Sequence, residues 1–338
     1  MKRIFTLLFA VLTATTIMAQ MHGPMKFVGA SNMTVSTMSN DNPSDTILFA
    51  MNGMESGNIT LPAMKGMQTI PSFTISGAKF TLGENHVVTF ADQTFSTKVK
   101  VDGAEKKITG TSLSGTYNMA DNSLMLTVVF QYGKMPFPMT YTVKGYYVKA
   151  VSNPITVTVG GQFTYTNDNV TYELRRYKDG ETDKLDVAVP SYTLANTIMG
   201  DLTLGSYTVK GLVYDEAQGG YYRDYKNDGL SFHFTAVNGG KTTMDKDYEF
   251  AKEKANNILV KYEGSNVSSI VNTFQMGAMP FGIVSVFSGA TTSIDDITTT
   301  PNQNITTTPA HQYNLAGQRV DNNYKGIVIV NGKKYLRK

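Results

Sequence analysis

One octapeptide occurs twice in this chain: Phe130-Gln131-Tyr132-Gly133-Lys134-Met135-Pro136-Phe137 returns 144 positions later as Phe274-Gln275-Met276-Gly277-Ala278-Met279-Pro280-Phe281. Shorter matches precede it in the same order. Asn40-Asp41-Asn42 pairs with Asn167-Asp168-Asn169 at an offset of 127, Pro62 with Pro190 at 128, and Thr74-Ile75-Ser76-Gly77 with Thr208-Val209-Lys210-Gly211 at 134. The offset only grows along the chain, as duplication followed by loop insertion leaves it. A period this long is a whole domain rather than one turn of a solenoid. The 338 residues accommodate two such domains with tails, and the repeat places them at 25–150 and 151–289.

Within each copy the apolar residues alternate, the period of a half-buried strand. Phe95, Thr97, Val99 and Val101 alternate with Ser96, Lys98 and Lys100 up to Asp102-Gly103, a dipeptide suited to a tight hairpin turn. Leu124, Leu126, Val128 and Phe130 form one such face, and Met139, Tyr141 and Val143 another. In the second copy Ile155, Val157 and Val159 lead to Gly160-Gly161, after which Phe163 and Tyr165 resume. Leu230, Phe232 and Phe234 end near Asn238-Gly239. Aligning Gly103 with Gly239 would turn the buried face of the preceding strand outward, so the second turn is expected to hold one extra residue. Residues 245–257 fit a helix, through Tyr248, Ala251 and Ala255, or a strand. Short antiparallel strands with one apolar face must close on themselves or pair as two sheets. The predicted fold is therefore all-β: two tandem antiparallel β-barrels of about eight strands each, with β-sandwiches as the alternative.

Lys2 and Arg3 precede an apolar run from Ile4 to Ala14 and a small-residue site ending at Ala19, the three-part pattern of a secretory signal peptide over 1–19. The run is about half the roughly 20 residues a spanning helix needs, and no other segment is long enough, so no transmembrane segment is expected after cleavage. With no cysteine, disulfides, a thiolate nucleophile, cysteine-held zinc and a lipid-anchored cysteine are excluded. A formal charge of +3 with scattered Lys and Arg leaves no footprint for nucleic acid.

The sequence contains no metalloprotease, nucleophile-elbow or phosphate-loop motif and no carboxylate pair matched between the copies, so no enzyme is expected. His22, His86, His233 and His311 lack ligand spacing. His233 falls on the face opposite Phe232 and Phe234, as a solvated side chain would. Met21, His22 and Met25 offer soft copper ligands, whereas Met51, Met54, Met64 and Met67 suit a core or a pliable pocket. Asp224, Asn227 and Asp228 beside Gly229 offer oxygens to calcium without the alternating spacing of a known loop. Tyr221, Tyr222 and Tyr225 suggest a carbohydrate or peptide platform, with strand tyrosines as the simpler reading. No metal, cofactor or catalytic residue is expected, and the ligand-binding residues stay unknown. The repeated motif, namely Phe130, Gly133, Met135, Pro136, Phe137 and Phe274, Gly277, Met279, Pro280, Phe281, is read as structural.

Each copy, on its Gly-x-Met-Pro-Phe segment before a final strand ending in Gly145 or Gly289, resembles the calycin-like (lipocalin-like) domains of exported proteins of gut and oral Gram-negative anaerobes. The resemblance implies the barrel and carries over no ligand. Tyr313-Asn314-Leu315-Ala316-Gly317-Gln318-Arg319-Val320 and Lys325 to Lys334 resemble the end of a type IX secretion sorting domain, which implies a small C-terminal β-unit at 312–338 that meets the secretion machinery. The Thr-, Pro- and Asn-rich stretch 290–311 reads as a flexible linker. Asp45-Thr46-Ile47 resembles the acceptor triplet for O-glycans in such bacteria. The combined expectation is an exported non-catalytic binding protein, at the cell surface, extracellular or periplasmic. Its partner would be a small apolar molecule, a glycan or a protein. A structural or adhesive surface protein is the second reading, and a glycan hydrolase the most distant one.

Overall fold

The computed structural model describes residues 24–65, 69–83, 86–277 and 279–289, together with the backbone of four short strands between 312 and 337. The signal segment 1–19 and the linker 290–311 lie outside the described residues, as do Met21, His22 and Met67. Two compact units divide after Gly289.

The first unit opens with β1 (Met25–Val35), β2 (Met38–Met51), β3 (Ser56–Leu61), β4 (Phe73–Lys79), β5 (Thr81–Leu82), β6 (Val87–Phe90), β7 (Phe95–Val101), β8 (Ala104–Asn118), β9 (Ser123–Tyr132) and β10 (Met139–Val159). Antiparallel pairing runs β1–β2, β2–β3, β3–β4, β5–β6, β7–β8, β8–β9 and β9–β10. β4 and β5 are one strand interrupted at Phe80, and β6 and β7, both lying against β8, are another. At this interruption Gln93 clasps the neighbouring strand: Lys79 N–H donates to its Oε1 at 2.8 Å and its Nε2 donates to the Lys79 carbonyl at 2.7 Å. The ladder from Lys26↔Val148 to Val35↔Met139 joins β10 back to β1. The result is one closed eight-stranded antiparallel barrel, with the Gln93 clasp where β4 and β7 share no ladder.

Alternation decides what fills it. Phe27, Ile47, Phe49, Leu124, Leu126, Val128, Phe130 and Tyr141 are buried, and the residues between them are not. Edge-on aromatic contacts knit the core: Phe49 to Phe90 at 5.3 Å between ring centroids, Phe73 to Phe130 at 5.3 Å, Phe27 to Tyr117 at 4.9 Å. Each fully buried aromatic or aliphatic side chain here contributes about 1.5–3 kcal/mol.

β10 continues past the barrel. Its second half pairs with β11 (Phe163–Asp179) on one side and with β21 (Gly282–Ser288) on the other. Between these lie β12 (Thr182–Val189), β13 (Tyr192–Thr197), β14 (Gly200–Leu204), β15 (Tyr207–Asp215), β16 (Gly220–Asp224), β17 (Ser231–Asn238), β18 (Lys241–Glu249), β19 (Asn257–Glu263) and β20 (Asn266–Gln275). Pairing proceeds β11–β12, β12–β15, β15–β16, β16–β19, β19–β20 and β20–β21. A separate four-stranded sheet, β13–β14–β17–β18, turns Leu194, Leu204, Phe232, Phe234 and Ala236 into a second apolar cluster. Polar contacts tie the two halves across β1 and β11. Lys26 meets Glu173 at 2.8 Å, and Arg175 donates to the Val28 carbonyl at 3.1 Å while pairing with Asp186 at 2.5 Å.

One open reading is decided and one expectation needs correction. Residues 245–257 are not helical: β18 runs to Glu249, and Asn256 then closes a turn by donating to the Ala251 carbonyl at 2.7 Å while its Oδ1 accepts from Gln275 N–H. The second hairpin turn holds no extra residue, since Asn238↔Lys241 encloses two residues just as Val101↔Ala104 does. The preceding strand keeps its buried face because Gly240, not Gly239, stands where Gly103 does, and the register shift at Ala236/Val237, opposite Met244 and Thr242, leaves Thr243 of β18 unpaired.

The second unit contains β22 (Gln312–Asn314), β23 (Arg319–Val320), β24 (Gly326–Val330) and β25 (Lys333–Arg337), in the order β23–β22–β24–β25. The pair Val330↔Lys333 flanks Asn331-Gly332, where the sequence places a turn.

Gly29 is the tightest point of barrel closure. A Cβ there would lie 2.0 Å from the Lys144 carbonyl oxygen and 2.5 Å from Gly145 Cα, both backbone atoms of β10. Gly29→Ala should therefore destabilise the chain by about 1–3 kcal/mol, read as a lower urea midpoint; an unchanged midpoint would show that β1 and β10 need not approach this closely.

Candidate functional site

The second half carries polar side chains where alternation calls for apolar ones. Tyr172 sits between Val170 and Leu174 on the buried face of β11, and Ser285 between Ile283 and Phe287 on that of β21. Asn272 lies between Ile270 and Phe274 on β20, and Tyr192 opens the buried face of β13. Tyr207, partly buried at the start of β15, and Tyr225, buried just after β16, complete the cluster.

Half of the group satisfies itself. Tyr225 Oη donates to Asn272 Oδ1 at 2.8 Å, and Asn272 Nδ2 donates to Tyr207 Oη at 2.6 Å. The aromatic rings of Phe232, Phe250 and Phe274 stand 5.0–6.5 Å from Tyr207. The other half does not. Ser285 faces both Tyr172 and Tyr192, yet none of these three hydroxyls closes a hydrogen bond of good geometry among the described residues. An unpartnered buried hydroxyl costs about 1–3 kcal/mol, and three side by side mark a place where a polar occupant would be stabilised. Burial holds the phenols in their neutral form, with the Tyr172 pKa pushed up to about 12 and those of Tyr192 and Tyr207 raised well above the ordinary value.

The first half answers the same problem differently. Asp45 is buried on β2, and its carboxylate accepts from Ser31 Oγ at 2.5 Å, Tyr141 Oη at 2.9 Å and Asn42 Nδ2 at 2.6 Å. Thr46, the middle of the glycan-acceptor-like triplet, is exposed between buried Asp45 and Ile47.

The repeated motif has one geometry in both copies. Phe130 and Phe274 are buried, and Gly133 and Gly277 adopt positive φ while donating to the Lys107 and Glu249 carbonyls. Gln131 and Gln275 donate to the carbonyls of Met135 and Met279, which are partly buried. Pro136 and Pro280 lead to Phe137 and Phe281, which stand 54 % and 50 % exposed. These residues are not brought to the hydroxyl cluster, apart from Phe274.

The other candidate residues disperse. Tyr221 and Tyr225 are buried, so they form no platform with Tyr222: the strand after Gly220 turns the first inward, and Tyr225 enters the core beyond it. Asp228 is taken by Arg223 at 2.8 Å and Asp224 by Lys226 at 3.1 Å, so two cations hold the carboxylates that calcium would need. Met25 and Met64 are core residues and Met54 is exposed. His233 is exposed as expected, but between two carboxylates: Nδ1 lies 2.8 Å from Asp247 and Nε2 2.9 Å from Asp245. Among the described residues no three His, Cys, Asp or Glu side chains converge as metal ligands.

Sequence reasoning missed the hydroxyl cluster, although a signal existed. At the offsets of the repeat, Met64, Phe73 and Val128 correspond to Tyr192, Tyr207 and Asn272. Polar replacement at apolar-face positions in one copy alone distinguishes a site from a scaffold.

Two titrations follow. Hydrogen bonding to Asp247 and the nearby Asp245 charge raise the His233 pKa, so the contribution of this trio is complete below the unfolded value near ~6.5 and is lost as pH rises through the folded one. An NMR titration should place the His233 midpoint above that of a model peptide; a midpoint at or below it would deny the pairing. The enclosed phenols ionise above the unfolded value of ~10, so the unfolded chain releases protons first and stability falls as pH rises past that value. Tyrosinate absorbance from these residues should appear only with loss of near-ultraviolet circular dichroism.

No curated protein matches the chain. A crystal structure from Bacteroides fragilis, described as a "putative outer membrane protein", aligns over 78 % of this chain and 96 % of its own at 15 % identity; its TM-score of 0.26 is too low to carry an argument about fold or function. Residues 26–146, which span the closed barrel, match the family model of the calycin-like beta-barrel domain.

Proposed function

We propose that this chain is an exported, non-catalytic binding protein made of two calycin-like barrels, one of which takes a small molecule in its interior. The first barrel is supported by ring closure and by the family match. The second is supported by pairing that passes from β10 through β11, β12, β15, β16, β19 and β20 to β21 and back to Ile155–Val159 of β10. Its separate apolar cluster and the counterparts at repeat offsets point the same way. Export rests on the leader-like segment 1–19, and delivery by secretion machinery on the resemblance of 312–338 to a sorting unit. A calycin-like barrel is typical of binding proteins, and the observation that carries the reading here is the trio of unpaired hydroxyls on Tyr172, Tyr192 and Ser285 inside an otherwise apolar interior.

A second reading, a structural or adhesive surface protein, is favoured by one observation: Phe137 and Phe281 protrude at equivalent points of the two copies. Native mass spectrometry of the full chain purified from its source cell separates the two. A bound small molecule released on unfolding is expected; an unliganded mass in repeated preparations, with side chains filling both interiors in an experimental structure, would reject the small-molecule reading.

A further inference from the structure

The two halves share a frame but differ in what their interiors offer. The bulge at Gly29/Ser31 is matched by the one at Asn153/Ile155, so Asp45 corresponds to Val170 and Ile47 to Tyr172; at the offsets of the repeat Tyr141 corresponds to Ser285, and Met64, Phe73 and Val128 to Tyr192, Tyr207 and Asn272. The correspondence is physical as well as numerical: the isolated bridge Met64↔Ile70 has its counterpart in Tyr192↔Leu204, the closing pair of the longer β13–β14 hairpin. Likewise the edge-on contact of Phe73 with Phe130 reappears as Tyr207 with Phe274.

In the first half the polar group is a carboxylate whose two oxygens take three donors from its own chain, and Met64, Phe73 and Val128 of the same core are apolar. Asp45 is thereby self-satisfied, and the first core holds a single unpaired buried hydroxyl among the described residues, Tyr132 Oη, against three together in the second. In the second half Val170 stands in place of the carboxylate, four apolar positions have become phenols or an amide, and three hydroxyls stay unpaired. Bringing a full charge among neutral hydroxyls and aromatic rings costs far more than their hydrogen bonds return, whereas an uncharged oxygen can accept from one hydroxyl and leave the rings to pack on an apolar frame.

Resting on the binding-protein reading above, we infer that the ligand site lies in the second half only, at Tyr172, Tyr192 and Ser285, and that it takes an uncharged molecule with a hydroxyl or carbonyl oxygen on an apolar frame. The cost of keeping these hydroxyls unpaired in the empty protein is then a cost of function, of the kind that local rule-breaking at sites commonly reveals.

The test uses the full exported chain and three probes of one shape: p-methylbenzyl alcohol, p-methylbenzylammonium and p-toluate, titrated by calorimetry. The alcohol should bind, with each ion at least about tenfold weaker. Tyr172→Phe and Tyr192→Phe should each weaken the alcohol by about tenfold and at the same time raise the melting temperature of the empty protein, because each removes an unpaired hydroxyl. Tyr141→Phe should leave binding unchanged and lower the melting temperature, since Asp45 loses a donor. Equal binding of an ion, binding indifferent to the Tyr172 and Tyr192 variants, or a lowered melting temperature in those variants overturns the inference, the last by showing the hydroxyls bridged by structural water. In the first two cases the chain still binds small molecules and the broader reading stands. Absence of any probe binding together with an unliganded mass from the source cell brings down both.

Discussion

Strand β10 is the element on which the architecture depends. A strand exposes a donor and an acceptor on both edges, and those groups must be paired or wetted. The first part of β10 meets this requirement by lying between β9 and β1, which closes a barrel, and its last part by lying between β11 and β21. One continuous strand thereby joins the two halves of the first unit. Lys26–Glu173 and the Arg175 contacts with Val28 and Asp186 reinforce the junction from the outside. Lys26–Glu173 is half-exposed and contributes little, whereas the Arg175 pair, with Asp186 buried, is the firmer contact.

Closure also dictates where small residues must stand. Gly29 allows β1 to sit against Lys144 and Gly145 of β10, and Gly110 leaves space for the Phe95 ring, 2.0 Å from where a Cβ would be. With the frame so constrained, the freedom left to the sequence is the chemistry of the inward face. The first half uses it for packing around a self-satisfied Asp45. The second half uses the corresponding positions for phenols, an amide and a serine, and lengthens a short bridged loop into the β13–β14 hairpin, so that Tyr192 reaches the interior from an added sheet.

Much of the barrel was legible in the residues. The alternation of Leu124, Leu126, Val128 and Phe130 with more exposed neighbours matches their burial, and Asp102-Gly103 forms the two-residue hairpin that it signals. The Gly133 and Gly277 turns share one geometry, as a repeated motif should. Other features were hidden for identifiable reasons. The bulge at Ala236/Val237 has no signature, because a register shift depends on the partner strand. Residues 245–257 carry charges at spacings that suit either period, and only the pairing of β18 with β17 and the contacts of Asn256 decide between them. Tyr221 and Tyr225 looked like surface aromatics because tyrosine serves both faces of a strand.

The sequence by itself determined the class of structure, because period-two burial and turn residues are local properties, written within a few positions of one another. It also determined the absence of disulfide chemistry and the leader-like start. Tertiary structure alone decided which strands close on which, and that Tyr172, Tyr192 and Ser285 meet in one interior with their hydroxyls unpaired. Those three residues lie on separate strands far apart in the chain. Whether a buried hydroxyl is satisfied is a fact about the space between strands, which no single stretch of residues contains.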